Sequence, residues 1–299
     1  MLKPVQASTY TFRNIIEGGF LYVDKTNYLY DLVRPATGIY FMARPRRFGK
    51  SLMISTLEEI FKGNRDLFKD LWIDRSDYDW QTYPVIRIDF SQERIYTATE
   101  LQEMIATFSE EIAAQYQLTL PKSHYQRQFR HLIQQLAANK KVVILIDEYD
   151  KPIIDNLDHL AEAKQIRETL KNFYTIIKAM DQYIRFVFIT GISKFSKVGV
   201  FSALNNLTDI TMNPRFATAL GITENELVQN FSGHIDMLAI KEQAAAETVA
   251  LKIRQWYDGF CFVEDCPNVY NPFSTLNLFY NQRFANYWFE TGTPTFLIR

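Results

Sequence analysis

The chain has 299 residues, 47% of them hydrophobic and 22% charged, with 33 basic against 34 acidic side chains. Such a composition builds a core and excludes a disordered or low-complexity protein, and the length suggests one large or two modest domains. A net charge of −1 gives no global basic field for nucleic acid, so a nucleic-acid partner stays open only through a local patch.

The longest apolar runs, residues 39–43 and 142–146, fall far short of the roughly 20 residues that cross a bilayer. The amino-terminal stretch MLKPVQASTYTFRNIIEGG lacks a charged-then-apolar leader pattern, so a cytoplasmic protein without a membrane partner is expected. Cys261 and Cys266 are too few for a four-ligand zinc site, and the four histidines share no metal-ligand spacing.

In chain order, residues 39–43 form an apolar run that ends at a basic, glycine-containing turn and reads as a strand. Directly after it, Met53, Leu57, Ile60 and Phe61 recur at helical spacing. PVIRIDF (84–90) alternates, with Ile86, Ile88 and Phe90 on one face and Arg87 and Asp89 on the other. Two helical patterns, 101–118 and 125–138, lead to residues 142–146, a continuously apolar, β-branched run typical of a strand covered on both faces. Ile166, Leu170, Phe173 and Ile177 put a stripe on the next helix, before a fourth strand at IRFVFIT (184–190) and a weaker fifth at 207–212. Alternating strands and helices predict an α/β fold with a mostly parallel five-stranded sheet flanked by helices. Beyond Pro214 the pattern turns helical at 224–231, capped by Thr223, and at 241–257. Short aromatic-rich pieces follow around Gly259, Pro272 and Trp288. The expected division is a core over 1–213 and a smaller, mainly helical unit over 214–299.

RPRRFGKS (44–51) follows the first strand and opens a helix. It matches the phosphate-loop pattern G-x-x-x-x-G-K-[ST] except that Arg44 replaces the first glycine. Gly49 permits a backbone that turns successive N–H groups inward, and the helix start adds unpaired donors and a positive dipole end. Lys50 is expected to reach the β- and γ-phosphates and Ser51 to ligate Mg²⁺. Arg46, Arg47, Phe48 and Leu52 complete the predicted nucleotide contacts. GKS alone is a common tripeptide; the strand before it and the amphipathic helix after it give it meaning.

VVILIDE (142–148) delivers two carboxylates at the carboxyl end of a buried strand, the edge where α/β folds bind ligands. Asp147 is expected to hold Mg²⁺ and Glu148 to orient and deprotonate the attacking water. Asp150 reads as the cap of the following turn or as another site acid. At the end of the fourth strand, Thr190 and Ser193 either reach the γ-phosphate region or simply meet solvent.

With these pieces in view the chain resembles the bacterial AAA-ATPase-like family of P-loop ATPases. The likeness rests on YVDKT (22–26), RPRRFGKS, VVILIDEYDKP (142–152), FVFITGISKFS (186–196) and NNLTDIT (205–211). WYDGF (256–260), VYNPFSTLN (269–277) and NYWFETGTP (286–294) extend it. The resemblance implies a P-loop fold with an extra strand between the lysine strand and the acidic strand. It also implies a small helical, winged-helix-like lid and the cofactors ATP and Mg²⁺. Lys25 and Thr26 match its amino-terminal motif, either beside the nucleotide base or in packing. Members often continue into a PD-(D/E)XK nuclease-like domain; Glu162-Ala-Lys164 sits in a helical pattern, and no nuclease site is expected here.

Arg46, Arg47, Lys194 and Arg215 are candidate cations for a phosphoryl transition state. No Asn/Thr-Lys-x-Asp loop for guanine is present, which favours ATP. The reading is therefore a slowly hydrolysing ATP-dependent switch that signals to a partner protein or a nuclease-like domain. A non-hydrolysing nucleotide-binding module and the motor of a nucleic-acid-processing system are the rivals.

Overall fold

The computed structural model describes residues 2–193, 199–202 and 204–292. Helices α1 (Phe12–Glu17) and α2 (Thr26–Val33) precede β1 (Gly38–Ala43), which runs into α3 (Lys50–Phe61). Then come β2 (Val85–Asp89), α4 (Ala98–Gln115), α5 (Tyr125–Leu136) and β3 (Val142–Asp147). The one-turn α6 (Lys151–Ile154) and long α7 (Leu160–Ala179) lead to β4 (Ile184–Gly191), and β5 (Thr208–Asp209) closes the set.

The strands form one sheet in the order β2-β3-β4-β1-β5, with every pairing parallel. This is the α/β architecture expected from the sequence, with β4 between the lysine strand and the acidic strand. The fifth strand shrinks to two residues on the edge beside β1.

Both faces of the sheet are covered, which is why β3 reads as an unbroken apolar run. Val142, Ile144 and Ile146 point into a core with α4, α5 and α7. Val143 and Leu145 point the other way, against α1, α2 and α3. Because β3 is buried on both sides, its only polar outlet is its carboxyl end.

The remaining helices, α8 (Glu224–Glu242), α9 (Ala246–Tyr257), α10 (Pro272–Asn281) and α11 (Tyr287–Gly292), share a third core. Thr223 caps α8 in a reciprocal capping box with Glu226, as its sequence position suggests. The expected helix at 241–257 is two pieces, because Gln243 takes a left-handed conformation (φ 53°) that ends α8, now longer than the 224–231 pattern implied. Two antiparallel bridges, Ile222 with Tyr270 and Phe260 with Val269, tie this unit's loops together. Val5, from the opposite end of the chain, is buried in the same core, so the amino-terminal segment packs against the carboxyl-terminal unit.

Candidate nucleotide site

The turn after β1 contains two left-handed residues, Arg47 (φ 66°) and Gly49 (φ 92°). A Cβ on Gly49 would meet nothing nearer than Leu220 at 3.9 Å, so the backbone angle, not crowding, calls for glycine there. Helix α3 opens at Lys50, and the first N–H groups of any helix lack intrahelical partners. Backbone N–H donors are thus presented at the end of β1.

Arg44, which replaces the first glycine of the pattern, is almost completely buried. Its guanidinium donates to the carbonyls of Ala43 (2.9 Å), Thr211 (2.8 Å) and Phe216 (3.1 Å) and lies 4.2 Å from the Phe262 ring centre. Burial lowers its pKa to about 10, with Asp209 opposing the shift. A side chain at this position therefore staples the loop to the segment after β5 and to the carboxyl-terminal unit.

The Lys50 ammonium, also buried, donates to the carbonyls of Arg44 (3.0 Å) and Pro45 (3.1 Å), folding back on its own loop. Burial lowers its pKa; Glu148, Asp147 and Asp150 pull it back up, and Arg46 pushes it further down. The lysine thus lies within electrostatic reach of the acids on the other side of β4.

Asp147 Oδ1 accepts from the Thr190 hydroxyl and from the Glu148 N–H (3.0 Å). Its other oxygen, Oδ2, is buried without a hydrogen-bond partner among the described residues. A buried carboxylate oxygen in that condition is costly unless it meets a cation. Thr190, itself fully buried, orients this carboxylate through that hydrogen bond.

Glu148 is half-buried and sits at φ 49°, a strained angle for a residue with a side chain. Burial raises its pKa; Lys50 opposes this, and Asp147, Asp89 and Asp150 add to it. Asp89 ends β2 directly beside Asp147 in the register and had no assigned role in the sequence. Its signal was a strand ending in an acid, hidden by the alternation of PVIRIDF.

Asp150 is not the side-chain cap expected of it. Its carboxylate accepts from the N–H groups of Ile192 (3.0 Å) and Ser193 (2.8 Å) and from the Ser193 hydroxyl (2.6 Å). Ser193 therefore serves the turn after β4 and not solvent. Gly191 lets that turn approach closely, since a Cβ there would stand 2.5 Å from the Tyr149 ring.

The outer side of the phosphate loop is gripped by the carboxyl-terminal unit, a feature the sequence did not reveal. Phe48 packs edge-on against Phe260 (4.7 Å) and Phe262 (5.2 Å), so its side chain faces that unit. Arg47 lies 4.8 Å from the Phe273 ring centre, and Trp288 Nε1 donates to the Arg46 carbonyl at 3.0 Å. Arg46 is the loop arginine whose charge Lys50 feels. Arg215 is paired with Asp31 on the surface, and Lys194 lies outside the described residues. Lys25 donates to the Thr218 carbonyl and pairs with Glu226, while the Thr26 hydroxyl bonds Asp24, so both serve packing. Glu162 and Lys164 lie on α7.

The profile of the family described as AAA-ATPase_like, "Predicted AAA-ATPase", matches residues 6–201. The chain belongs to that family. A curated relative, "Uncharacterized protein in vnfD 5'region" of Azotobacter chroococcum mcd 1, is 41% identical over 303 residues, covering 99% of this chain and 55% of its own. The chain thus spans about half the length of that relative. Among solved structures, the KaiC-like protein PH0186 from Pyrococcus horikoshii OT3 is 15% identical over 70% of this chain and 82% of its own, with a TM-score of 0.27. So loose a likeness carries no argument; the P-loop fold of this AAA-ATPase-like chain rests on its strand order and loop geometry.

Arg44→Leu should lower unfolding stability by about 3 kcal/mol, because it removes the guanidinium donor from the buried carbonyls of Ala43, Thr211 and Phe216, of which Phe216 keeps the Ala219 N–H. Urea unfolding checks this, and a loss below about 1 kcal/mol would show the staple to be dispensable. Glu148 offers a pH test. Its folded pKa is raised, so between the unfolded value of about 4.3 and the raised one the folded state binds more protons, and stability falls as pH rises. Glu148→Gln should remove that portion of the slope and be more stable than wild type at neutral pH; identical pH–stability curves would contradict the burial cost.

Proposed function

We propose that this AAA-ATPase-like chain binds ATP with Mg²⁺ at the loop of residues 44–51, hydrolyses it slowly and passes its nucleotide state to the carboxyl-terminal unit. The observation that carries the reading is the unpartnered, buried Asp147 Oδ2 on the same sheet crest as Lys50. A hard carboxylate oxygen held by Thr190 and the Glu148 N–H, with the Ser51 hydroxyl in the first turn of α3, fits a hard divalent cation. Ser51 and Asp147 would hold Mg²⁺, which when bound neutralises charge on the phosphate oxygens.

The chain's own groups do the rest. Lys50 leaves the Arg44 and Pro45 carbonyls for the β- and γ-phosphates, an exchange of neutral acceptors for charged ones that favours the bound state. The N–H groups of residues 48–52 receive phosphate oxygens. Glu148, whose pKa burial has raised, takes the proton of the attacking water. Arg46 is the loop cation best placed to answer charge at the γ-phosphate.

The switch follows from the grip on the loop. Any shift at Arg46 or Phe48 moves the partners of Trp288, Phe260 and Phe262 in the carboxyl-terminal unit. We propose that a partner protein or a nuclease-like domain receives this motion. A cytoplasmic setting fits, as no described helix is long and apolar enough to cross a membrane.

Lys50→Ala should weaken Mg-ATP binding at least about tenfold. Glu148→Gln should bind ATP normally yet lose about a hundredfold in phosphate release. Calorimetric titration and a phosphate-release assay measure the two. Unchanged affinity in Lys50→Ala would undo the loop assignment, and equal turnover in Glu148→Gln would leave a nucleotide-binding module without this base.

A further inference from the structure

No aspartate or glutamate occurs between Glu111 and Asp147, the longest acid-free stretch of the chain. The same stretch carries Lys122, Arg127, Arg130, Lys140 and Lys141, and all of them are exposed. It contains α5, whose apolar residues Phe129, Leu132, Ile133 and Leu136 are buried in the core with α4, α7 and the sheet. Arg127 and Arg130 share the opposite, outward face with Gln134, at i, i+3 and i+7. Lys122 precedes the helix, and Lys140 and Lys141 follow it. The cations therefore form a stripe along α5, whose 12 residues give it a length of about 18 Å.

These cations lack acidic partners. Lys140 donates to the Thr82 hydroxyl at 3.3 Å and lies 5.9 Å from the Tyr83 ring centre. None of the stripe's lysines or arginines is ion-paired among the described residues. Helix α4, packed beside α5, bears the exposed Glu103, Glu110 and Glu111, and Glu110 accepts from Gln128 Nε2 at 3.1 Å. A polyanion is thus attracted to α5 and turned away from α4.

The rest of the surface narrows the polyanion's chemistry. The apolar side of α5 is committed to the core, which leaves nothing to insert into a bilayer. No large hydrophobic side chain is exposed between Tyr96 and Leu160. The stripe therefore lacks both the apolar anchors of a protein interface and the exposed Phe, Tyr or Trp on which single-stranded bases stack. What it presents is cations with the exposed amides of Gln134 and Asn139, groups that bind phosphate and sugar oxygens.

We propose that the outward face of α5, with its flanking lysines, binds the phosphodiester backbone of double-stranded DNA without reading its sequence. The B-form major groove, about 12 Å wide, accepts the ridge of one helix between two rows of phosphates, whereas the A-form groove of an RNA duplex is too narrow. At 3.4 Å per base pair, the stripe spans about five base pairs. Lys140 and Lys141 stand before the start of β3 and the site acids at its end, so this surface is separate from the phosphate loop. The inference does not depend on nucleotide binding there.

The test is fluorescence anisotropy of a labelled DNA duplex of about 20 base pairs titrated with the full chain, without nucleotide, across a series of salt concentrations. Affinity should fall linearly with salt on logarithmic axes, with a slope of about −0.9 per phosphate contacted. Arg127→Glu combined with Arg130→Glu should weaken binding at least about tenfold at about 50 mM salt and reduce the slope by about 2. Lys69→Glu combined with Arg283→Glu makes the same change in net charge at exposed positions outside the stripe and should leave most of the affinity. Absence of salt-dependent binding by wild type, equal weakening by the two pairs, or equal affinity for an RNA duplex would overturn the proposal. Lysine footprinting of wild type by acetylation and mass spectrometry asks the same question without a substitution. DNA should slow modification of Lys122, Lys140 and Lys141, and unchanged rates at all of them would contradict the site.

Discussion

Strand β4 separates the strand that leads into the phosphate loop from the strand that carries the acids. With neighbouring strands about 4.8 Å apart, loop and acids stand roughly 10 Å from each other. Thr190, at the end of β4, fills the floor of that gap and fixes Asp147. Lys50 reaches in from one side, and Asp147, Glu148 and Asp150 hold the other. With β4 in this position, the lysine and the acids are set apart across one strand's width on either side. A buried lysine pulled down in pKa and a half-buried glutamate pushed up are the electrostatic marks of that arrangement.

Arginine in place of the loop's first glycine is a second organising feature. A glycine would take the guanidinium donor away from three carbonyls around the end of β1 and the β5 exit. Arg44 satisfies them from within the core and touches Phe262. The same aromatic ring meets Phe48, so the inner and outer sides of the loop are held by one carboxyl-terminal segment. The conformation of the loop and the placement of that unit are therefore one problem.

Much of this was legible in the chain. Continuous apolarity at residues 142–146 marked a strand covered twice, and a lysine at a helix start with acids at another strand end located the crest of the sheet. Backbone-directed patterns of this kind are local and survive without tertiary information. What stayed hidden depended on long-range side-chain partners. Asp150 looked like a turn cap because its neighbours in sequence are a short helix, whereas its true acceptor role lies more than forty residues away at Ile192 and Ser193. Arg44 looked like a defect in a motif because its carbonyl partners sit at Thr211 and Phe216. The aromatic residues 260, 262, 273 and 288 belong to short aromatic-rich pieces of the chain, and only packing shows that some face the loop. The left-handed Gln243 carried no sequence signal, so two helices merged into one expectation.

The central claim is that nucleotide phosphates sit between the loop and the acids of β3. Amide hydrogen exchange, followed with and without Mg-ATP, addresses it most directly. Slowed exchange concentrated at residues 46–52 and 147–150 is the predicted result. Protection that leaves both segments unchanged while another surface becomes shielded would contradict the account.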